Sequence, residues 1–572
     1  MEGLSANIAY KKTYNGYVSN SKVGWGGLEV EDYTEGHDSN TRDEFFGRAT
    51  YSKTFNDFDL SATAGFELTK YSRRRINASA VGGLTTPGFY SLNTSTDRPS
   101  LSSQKYEFEN KAWFTTASVG YKNMAYAEAS YRTDYSSTAD ANANSVKTLG
   151  ISGSFILSQL IENKELISFA KARVGYAQAP YFPGTYLLSQ TYASGTPYGS
   201  TGTSSVPNSG VNPQLKGGER EELEFGAEVK FLKNRIGIDF AYFDRTDKNL
   251  PSFVTVPGST GITGYYSNQG EETYKGIEVG LNFVPFKGED FNMDVTINAA
   301  TLKRDVVKIA DGVDVNVLDS WGPSVQKRVG QEWGAIYGNA YRRDANGTKV
   351  LAANGRYEYD TNQYLGSILP DVTGGVTANM SYKNLSLSLG FDYQIGGKFY
   401  GVTRRYGNFA GLGVETVGNN ALGNPVRSAV ADTGTSGSSS VTSVNLANAA
   451  SNSGGQLTSG VDASGNPVSF LVNPYYLWRS NLRNVHEEYI NDATYVKLRT
   501  ISFGYKLPSD LVEKTPFSGI DLGIFANNVW LIHSDVKGVD PSETEGRAGI
   551  NWIENGQLPS ARTIGFNAKF TF

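Results

Sequence analysis

Across 572 residues the chain carries 52 Lys and Arg against 57 Asp and Glu, with 12% aromatic residues, 64 Gly and no Cys. The net charge of −5 is small and scattered, which argues against a nucleic-acid partner, and the lack of Cys excludes disulfides, thiolate metal ligands and cysteine nucleophiles. Mean hydropathy is −0.37 and no run of about 18 apolar residues occurs, so the sequence offers no transmembrane helix.

The opening stretch "MEGLSANIAYKK" lacks the basic and apolar regions of a signal peptide and reads as a strand. From there the dominant signal is period two. In "ELEFGAEVKF", Leu223, Phe225, Ala227, Val229 and Phe231 share one face, and Glu224, Glu228 and Lys230 share the other. Ile236, Ile238, Phe240 and Tyr242 continue the apolar face after a tight turn. "NLSLSLGFDYQIGG" repeats the pattern, with Leu385, Leu387, Leu389, Phe391, Tyr393 and Ile395 opposed to Ser386, Ser388, Gly390, Asp392 and Gln394. The pattern predicts about sixteen strands. They lie near 3–12, 43–54, 57–73, 105–121, 124–136, 144–156, 167–178, 218–232, 235–247, 272–285, 290–304, 370–382, 385–397, 494–506, 519–533 and 560–572.

Connections alternate between short and long. "FNDF" (55–58), "YKNM" (121–124), "LKNR" (232–235) and "YKNL" (382–385) read as hairpin turns, since Asn tolerates positive φ. "SQLIENKEL" (158–166), "PFKGED" (285–290) and "LPSDLVEKTPFSG" (507–519) are slightly longer links of the same kind. Between them come stretches near 78–104, 179–217, 248–271, 305–369 and 398–493, too long for loops of a compact soluble domain. "EWGAIYGNAYRRD" (332–344) is assigned to a loop to keep the alternation. Short turns on one side, long loops on the other and one apolar face predict an all-β, antiparallel, up-and-down transmembrane barrel. The 35 Tyr suit aromatic girdles at the two interfaces. A soluble multi-sandwich or fibre-like adhesin also alternates, but its turns do not sort so strictly.

Signals for chemistry are few. His37, His486 and His533 have no metal-ligand spacing and read as isolated loop or rim residues. No GxSxG ties a Ser to any of them, so an outer-membrane hydrolase has no identifiable catalytic set. "RRDANGTK" (342–349) has Asp344 and Asn346 in calcium-loop style, but Gly347 comes too early and the stretch reads as an Asx turn. "KYSRRR" (70–75) places a basic cluster at the outer end of a strand, suited to lipopolysaccharide or a loop carboxylate. Glu222, Glu224 and Glu228, within a run that also holds Glu219 and Glu221, share the polar parity and read as a solvated lumen wall. No residue is assigned to catalysis, a cofactor or a metal.

Several segments resemble the SusC/RagA family of TonB-dependent outer-membrane transporters. They are "NDATYVKLRTISFGYKLPSDLVEK" (491–514), "IFANNVWLIHSDVKGVDPSETEG" (524–546), "SNQGEETYKGIEVGLNF" (267–283), "VNPQLKGGEREELEFGAEVKFLKNRIGIDFAYFDRTDKNL" (211–250) and "EASYRTDYSS" (128–137). Ser542 stands between Pro541 and Glu543, and Tyr135 stands where Gly is usual in the family. The ordered set covers roughly 105–572. The terminal "FNAKFTF" is similar to the family's barrel-assembly signal, carried here by Phe566, Phe570 and Phe572.

The resemblance implies import of glycans or peptides in the outer membrane of a Bacteroidetes-type cell. It implies a SusD-like surface lipoprotein over long extracellular loops, including the one near 398–493, and TonB energy delivered through a plug. The family barrel has twenty-two strands preceded by a signal peptide, a small β-sandwich and the plug. None of these precedes the barrel-like sequence here, so residues 1–572 are expected to be the C-terminal barrel portion. A passive porin or adhesion barrel without energy coupling is the competing reading. Ligand residues are not assigned; loop tyrosines such as Tyr192 and Tyr265 are of the type that contacts carbohydrate.

Overall fold

The structure, a computed structural model, describes residues 3–21, 33–195, 197–433, 441–547 and 549–572. Sixteen long strands follow one another in a single antiparallel sheet. They are β1 (Gly3–Ser21), β2 (Thr34–Phe55), β3 (Phe58–Leu84), β4 (Ser95–Tyr121), β5 (Ala125–Ser136), β6 (Ser145–Phe155), β7 (Ile167–Tyr181) and β8 (Gly218–Phe231). Then come β9 (Ile236–Thr255), β10 (Gly264–Lys287), β11 (Phe291–Ala300), β12 (Val372–Tyr382), β13 (Leu385–Ile395), β14 (Tyr495–Lys506), β15 (Gly519–Ser534) and β16 (Thr563–Thr571). Each pairs with the next. Two short segments complete the sheet: Lys303–Lys308 runs on beside β10 after β11 ends, and Ser209–Gly210 pairs in parallel with the start of β10. Among the described residues β1 pairs only with β2 and β16 only with β15.

The short turns work as their sequences predict. Asn56, Lys122, Asn123, Leu232, Lys233, Asn234 and Lys383 all have positive φ, the twist that tight hairpins demand. In "YKNL" it is Lys383, at φ 49°, that takes the left-handed conformation. Asn384 instead spends its amide on the carbonyl of Lys506, at 2.7 Å.

Cross-strand register turns the alternation into layers. On one face of β2–β6 the rows run Phe55–Phe58–Tyr121–Ala125–Phe155, then Tyr51–Ala62–Ala117–Ala129–Ile151, and Ala49–Ala64–Thr115–Tyr131–Leu149. Beyond them lie Gly47–Phe66–Trp113–Thr133–Lys147 and Phe45–Leu68–Lys111–Tyr135. The next row, Lys12–Asp43–Lys70–Glu109, is charged. Ten residues separate Phe58 from Leu68, which at the tilt of barrel strands spans about 25 Å, the height of a membrane-facing apolar band. This face therefore meets lipid, with aromatic residues at both margins. The other face reads Ser52–Ser61–Ser118–Glu128–Ser152–Gly175–Glu224 along one row, a hydroxyl and carboxylate surface that belongs to a lumen.

Two expected loops are shorter than the sequence suggests. The β3–β4 ladder continues to Leu84 opposite Ser95, so most of 78–104 is strand. The β9–β10 ladder continues to Thr255 opposite Gly264, which leaves only a small part of 248–271 as a turn. Beyond the membrane both faces of a strand meet water, so apolar alternation vanishes while backbone pairing persists. The 332–344 stretch stays out of the wall, as expected: Ala335–Tyr341 belongs to a separate four-stranded sheet with Val315–Ser320, Ser324–Arg328 and Tyr359–Ser367.

That sheet joins two others in a cap built from the long loops. One comprises Lys398–Gly401, Ile490–Asp492, Ile550–Glu554 and Glu545–Arg547. The other comprises Ser443–Asn445, Gln456–Val461 and Pro467–Val472. Trp552, Tyr400, Tyr489, Phe399 and Ile336, among the largest fully buried side chains, lie here. Val325, Ile336, Tyr400, Val402, Tyr489, Ile550, Trp552 and Ile553 form one core from three separate loops.

Candidate functional site: the lumen wall and its cap

A cavity of about 790 Å³ lies against the lumen face of β2–β8. Ser61, Ser118, Ser130, Ser152 and Ser154 supply hydroxyls, and Asp59, Glu128, Lys171, Arg173, Glu222 and Glu224 supply charge. Arg173 holds the centre: it donates to Glu224 at 3.2 Å and to both Asp239 oxygens at 3.2 Å. Glu222 and Glu224 thus sit on the lumen, as their parity predicts. Glu228 pairs with Lys230 at 2.9 Å, and Glu221 pairs with Lys248 at 2.9 Å. Such a surface hydrogen-bonds a polar solute through many weak, exchangeable contacts. Among the described residues that line it there is no nucleophile–base pair.

Nearer the loops, ion networks tie the cap to the wall. Arg220 and Arg245 both donate to the buried Asp247, at 2.9 and 3.1 Å. The Arg245 guanidinium lies 3.8 Å from the Tyr274 ring centre, and Tyr274 donates to Glu272 at 3.0 Å. Glu272, only 2% exposed, receives Arg304 from the wall and Lys327 from the four-stranded loop sheet. Arg304 in turn stacks on Trp333 at 3.8 Å. Because these residues share the lumen parity, that loop sheet folds inward over the lumen.

The family-like motifs meet in the same way. Lys497 of "YVKLRT" is 4% exposed and reaches Asp540 at 2.6 Å and Glu543 at 3.2 Å. Burial raises the Asp540 pKa, but Lys497 and the Ser542 hydroxyl and N–H outweigh it and hold the carboxyl below the ordinary range. Ser542 therefore contributes to the cluster that its neighbours form. Arg499, two residues on, grips both Asp392 oxygens at 2.8 and 2.9 Å. Elsewhere Asn268 accepts from the Lys216 N–H at 2.9 Å and donates to the Lys216 and Asn249 carbonyls at 2.8 and 3.0 Å. The chain passes so close that a Cβ on Gly218 would lie 2.7 Å from the Asn249 oxygen.

Of "KYSRRR", Arg73 and Arg75 turn to the lumen side and clamp the buried Asp38. That carboxylate comes from β2, not from a loop. Lys70 faces outward and pairs with Glu109 at 3.2 Å. Asp344 accepts from the N–H groups of Asn346 and Thr348 at 2.9 and 2.8 Å, the expected Asx turn. Asp462 makes the same turn at "DASGN". Tyr192 is 76% exposed, whereas Tyr265 packs against Val254 and Val306.

His533 lies 3.0 Å from Asp535 near the rim. His486 is not isolated: it is buried in the cap, where its Nδ1 accepts from the Asn339 N–H at 3.1 Å. Burial, helped by Arg405, lowers its pKa to about 4. Beside it, burial and then Glu488 push the Tyr341 hydroxyl well above its ordinary value, and the two groups share a hydrogen bond of 2.7 Å. No short motif announces either residue, because the partners lie 147 positions away in sequence.

No protein-family model matches the chain. Its sequence is 23% identical over 393 residues to "TonB-dependent receptor P3" of Formosa agariphila, covering 63% of this chain and 35% of the relative. It is 23% identical over 556 residues to "TonB-dependent receptor P26" of the same organism, covering 90% of this chain and 51% of the relative. The chain therefore spans about half, or less, of the length of these curated relatives. Its fold is similar to that of the RagAB peptide transporter, with a TM-score of 0.75 at 19% identity, covering all of this chain and 60% of that one. The RagAB peptide importer in its "closed-closed" state gives a TM-score of 0.70 at 17% identity. These likenesses bear out the resemblance to SusC/RagA-type TonB-dependent receptors, which are outer-membrane proteins and not enzymes.

Proposed function

We propose that this chain forms the barrel wall and loop cap of a SusC-type outer-membrane importer that takes up peptides or glycans with TonB-derived energy. The single observation that carries the reading is the likeness to RagAB over the full chain, cap included. On this reading β1–β16 are part of a larger barrel whose plug fills the lumen beside the Arg173 surface. The loops, including the long segment 398–493, face outside, and a SusD-like lipoprotein seats on the cap. Phe566 and Phe570 on β16, with Phe572 just after it, face lipid and serve as the assembly signal presented to the insertion machinery. The ion networks at Glu272 and Lys497 support the reading, because a partner that closes over a transporter needs a cap rigid enough to dock on.

Uptake of radiolabelled peptide and oligosaccharide by cells expressing the complete gene tests this. Uptake that stops when a protonophore collapses the inner-membrane gradient is the expected result. Uptake that continues unchanged favours the passive porin. A surface lipoprotein co-purifying in equal amount through a tag in the 463–465 turn is the expected partner result.

A further inference from the structure

The membrane-facing side of β1–β6 is not evenly filled. Small residues cluster at mid-band: Ala6, Ala49, Ala64 and Thr115 in one row, with Ala62, Ala117 and Ala129 in the next. They leave two adjoining hollows of about 560 and 510 Å³ that share Ala49, Ala64, Thr115 and Tyr131. Phe66 and Trp113 wall the groove towards the loops, and Tyr51 and Leu149 lie towards the short turns and β6. Apolar area buried against this face contacts hydrocarbon, since the row lies inside the apolar band of about 25 Å.

Towards the loops, the same parity turns cationic. In the five rows from Ile8–Lys147 to Arg74–Lys105 it presents Lys12, Lys70, Arg74, Lys105, Lys111 and Lys147 against only Asp43, Glu107 and Glu109. Lys12, Lys70, Lys105 and Lys111 keep more than half of their side-chain surface exposed, at 57, 61, 63 and 58%. Lys111 and Lys147 stand directly at the β4–β6 end of the groove. The cations spread from β1 to β6, five strand spacings or about 24 Å. One phosphate cannot span that distance, whereas a headgroup with two separated phosphates can. The interleaved carboxylates space the lysines: Asp43 pairs with Lys12 at 3.8 Å, and Glu109 pairs with Lys70 at 3.2 Å and Lys111 at 2.8 Å.

We propose that the groove and the cations beyond it bind the bisphosphorylated saccharolipid of the outer leaflet, with an acyl chain along the alanine rows and the phosphates at Lys70, Lys111 and Lys147. This rests on the orientation proposed above, in which the loops face outside.

The test is native mass spectrometry of the full-length protein, purified in mild detergent and titrated with lipid A or with phosphatidylglycerol. The intact protein should retain lipid A in preference to phosphatidylglycerol. Lys111→Glu with Lys147→Glu, both on exposed positions, should weaken lipid A retention by about tenfold or more, from the loss of two basic side chains at an anionic surface. Ala49→Phe with Ala117→Phe should do the same by filling the groove, and heat-modifiable gel mobility reports whether each variant has folded. Equal retention of the two lipids, or unchanged lipid A retention by the folded charge variant, overturns the proposal. Antibody access to a tag at 463–465 on intact cells tests orientation separately: an accessible tag without lipid A preference overturns the site alone, whereas an inaccessible tag overturns the orientation and with it the outer-leaflet assignment.

Discussion

The wall and the cap are folded by different solvents. In the wall, neighbours in sequence are neighbours in space, and the apolar residues point away from the protein: Phe566 is 65% exposed and Trp113 is 61% exposed to what is membrane in the cell. In the cap, the apolar residues point inward and come together from remote places. Trp552, fully buried, stacks on Tyr400 and donates to Asp319 at 2.9 Å across 233 positions of sequence. The wall is stable because a bilayer punishes unpaired backbone. The cap is stable because water punishes exposed hydrocarbon. A single chain therefore carries two folding codes, and a substitution should act according to the code of its region.

The largest effect should come from Trp552→Ala, which removes a core anchor and its hydrogen bond to Asp319. We expect a loss of about 3–5 kcal/mol confined to the cap. Limited proteolysis should then cut within 398–493 while the heat-modifiable barrel band stays in place; joint loss of both would show that cap and wall fold as one unit. Next, Ala62→Arg at mid-band should cost the wall about 2–4 kcal/mol, whereas Ser118→Arg on the lumen face should cost almost nothing. Equal costs in urea unfolding from vesicles would mean that the face assignment is wrong. Third, Lys497→Met leaves Asp540 and Glu543 without their shared cation. We expect about 2–3 kcal/mol, below the range for a fully buried pair because both carboxylates keep some water. The readout is faster hydrogen exchange in 535–562.

The smallest effect, over the first pH unit below 6.5, is acid sensitivity of the cap through His486. Its folded pKa of about 4 lies below the ordinary value of 6.5, so the unfolded state binds the extra proton. Its contribution is complete above pH 6.5 and is lost as pH falls towards 4, by at most about 1.4 kcal/mol per unit. His486→Gln should flatten cap proteolysis between those values; an unchanged slope would assign the acid response to another group.

Much of the wall was legible. The sixteen strands, the short turns and the face of each residue follow from alternation, because each choice is local and the bilayer is the same for every strand. Glu222 and Glu224 could be assigned to the lumen by parity alone. What lay beyond the membrane was not legible. The polar extensions of β3 and β4 up to Leu84 and Ser95 carry no apolar period, and only their pairing reveals them. His486 looked like one of three scattered histidines, since nothing near it in sequence forecasts Asn339 or Arg405.

By itself, then, the sequence determined that this is a barrel wall, which side of each strand meets lipid, and, through motifs such as "YVKLRT" and "GVDPSE", which family it resembles. Why those motifs are needed was decided only in three dimensions, where Lys497 of one meets Asp540 and Glu543 of the other inside the lumen. The same holds for the Glu272 network and the Trp552 core. A residue's face on a strand is set by its neighbours two positions away, but a buried charge or a core is set by partners that only a folded chain can bring together.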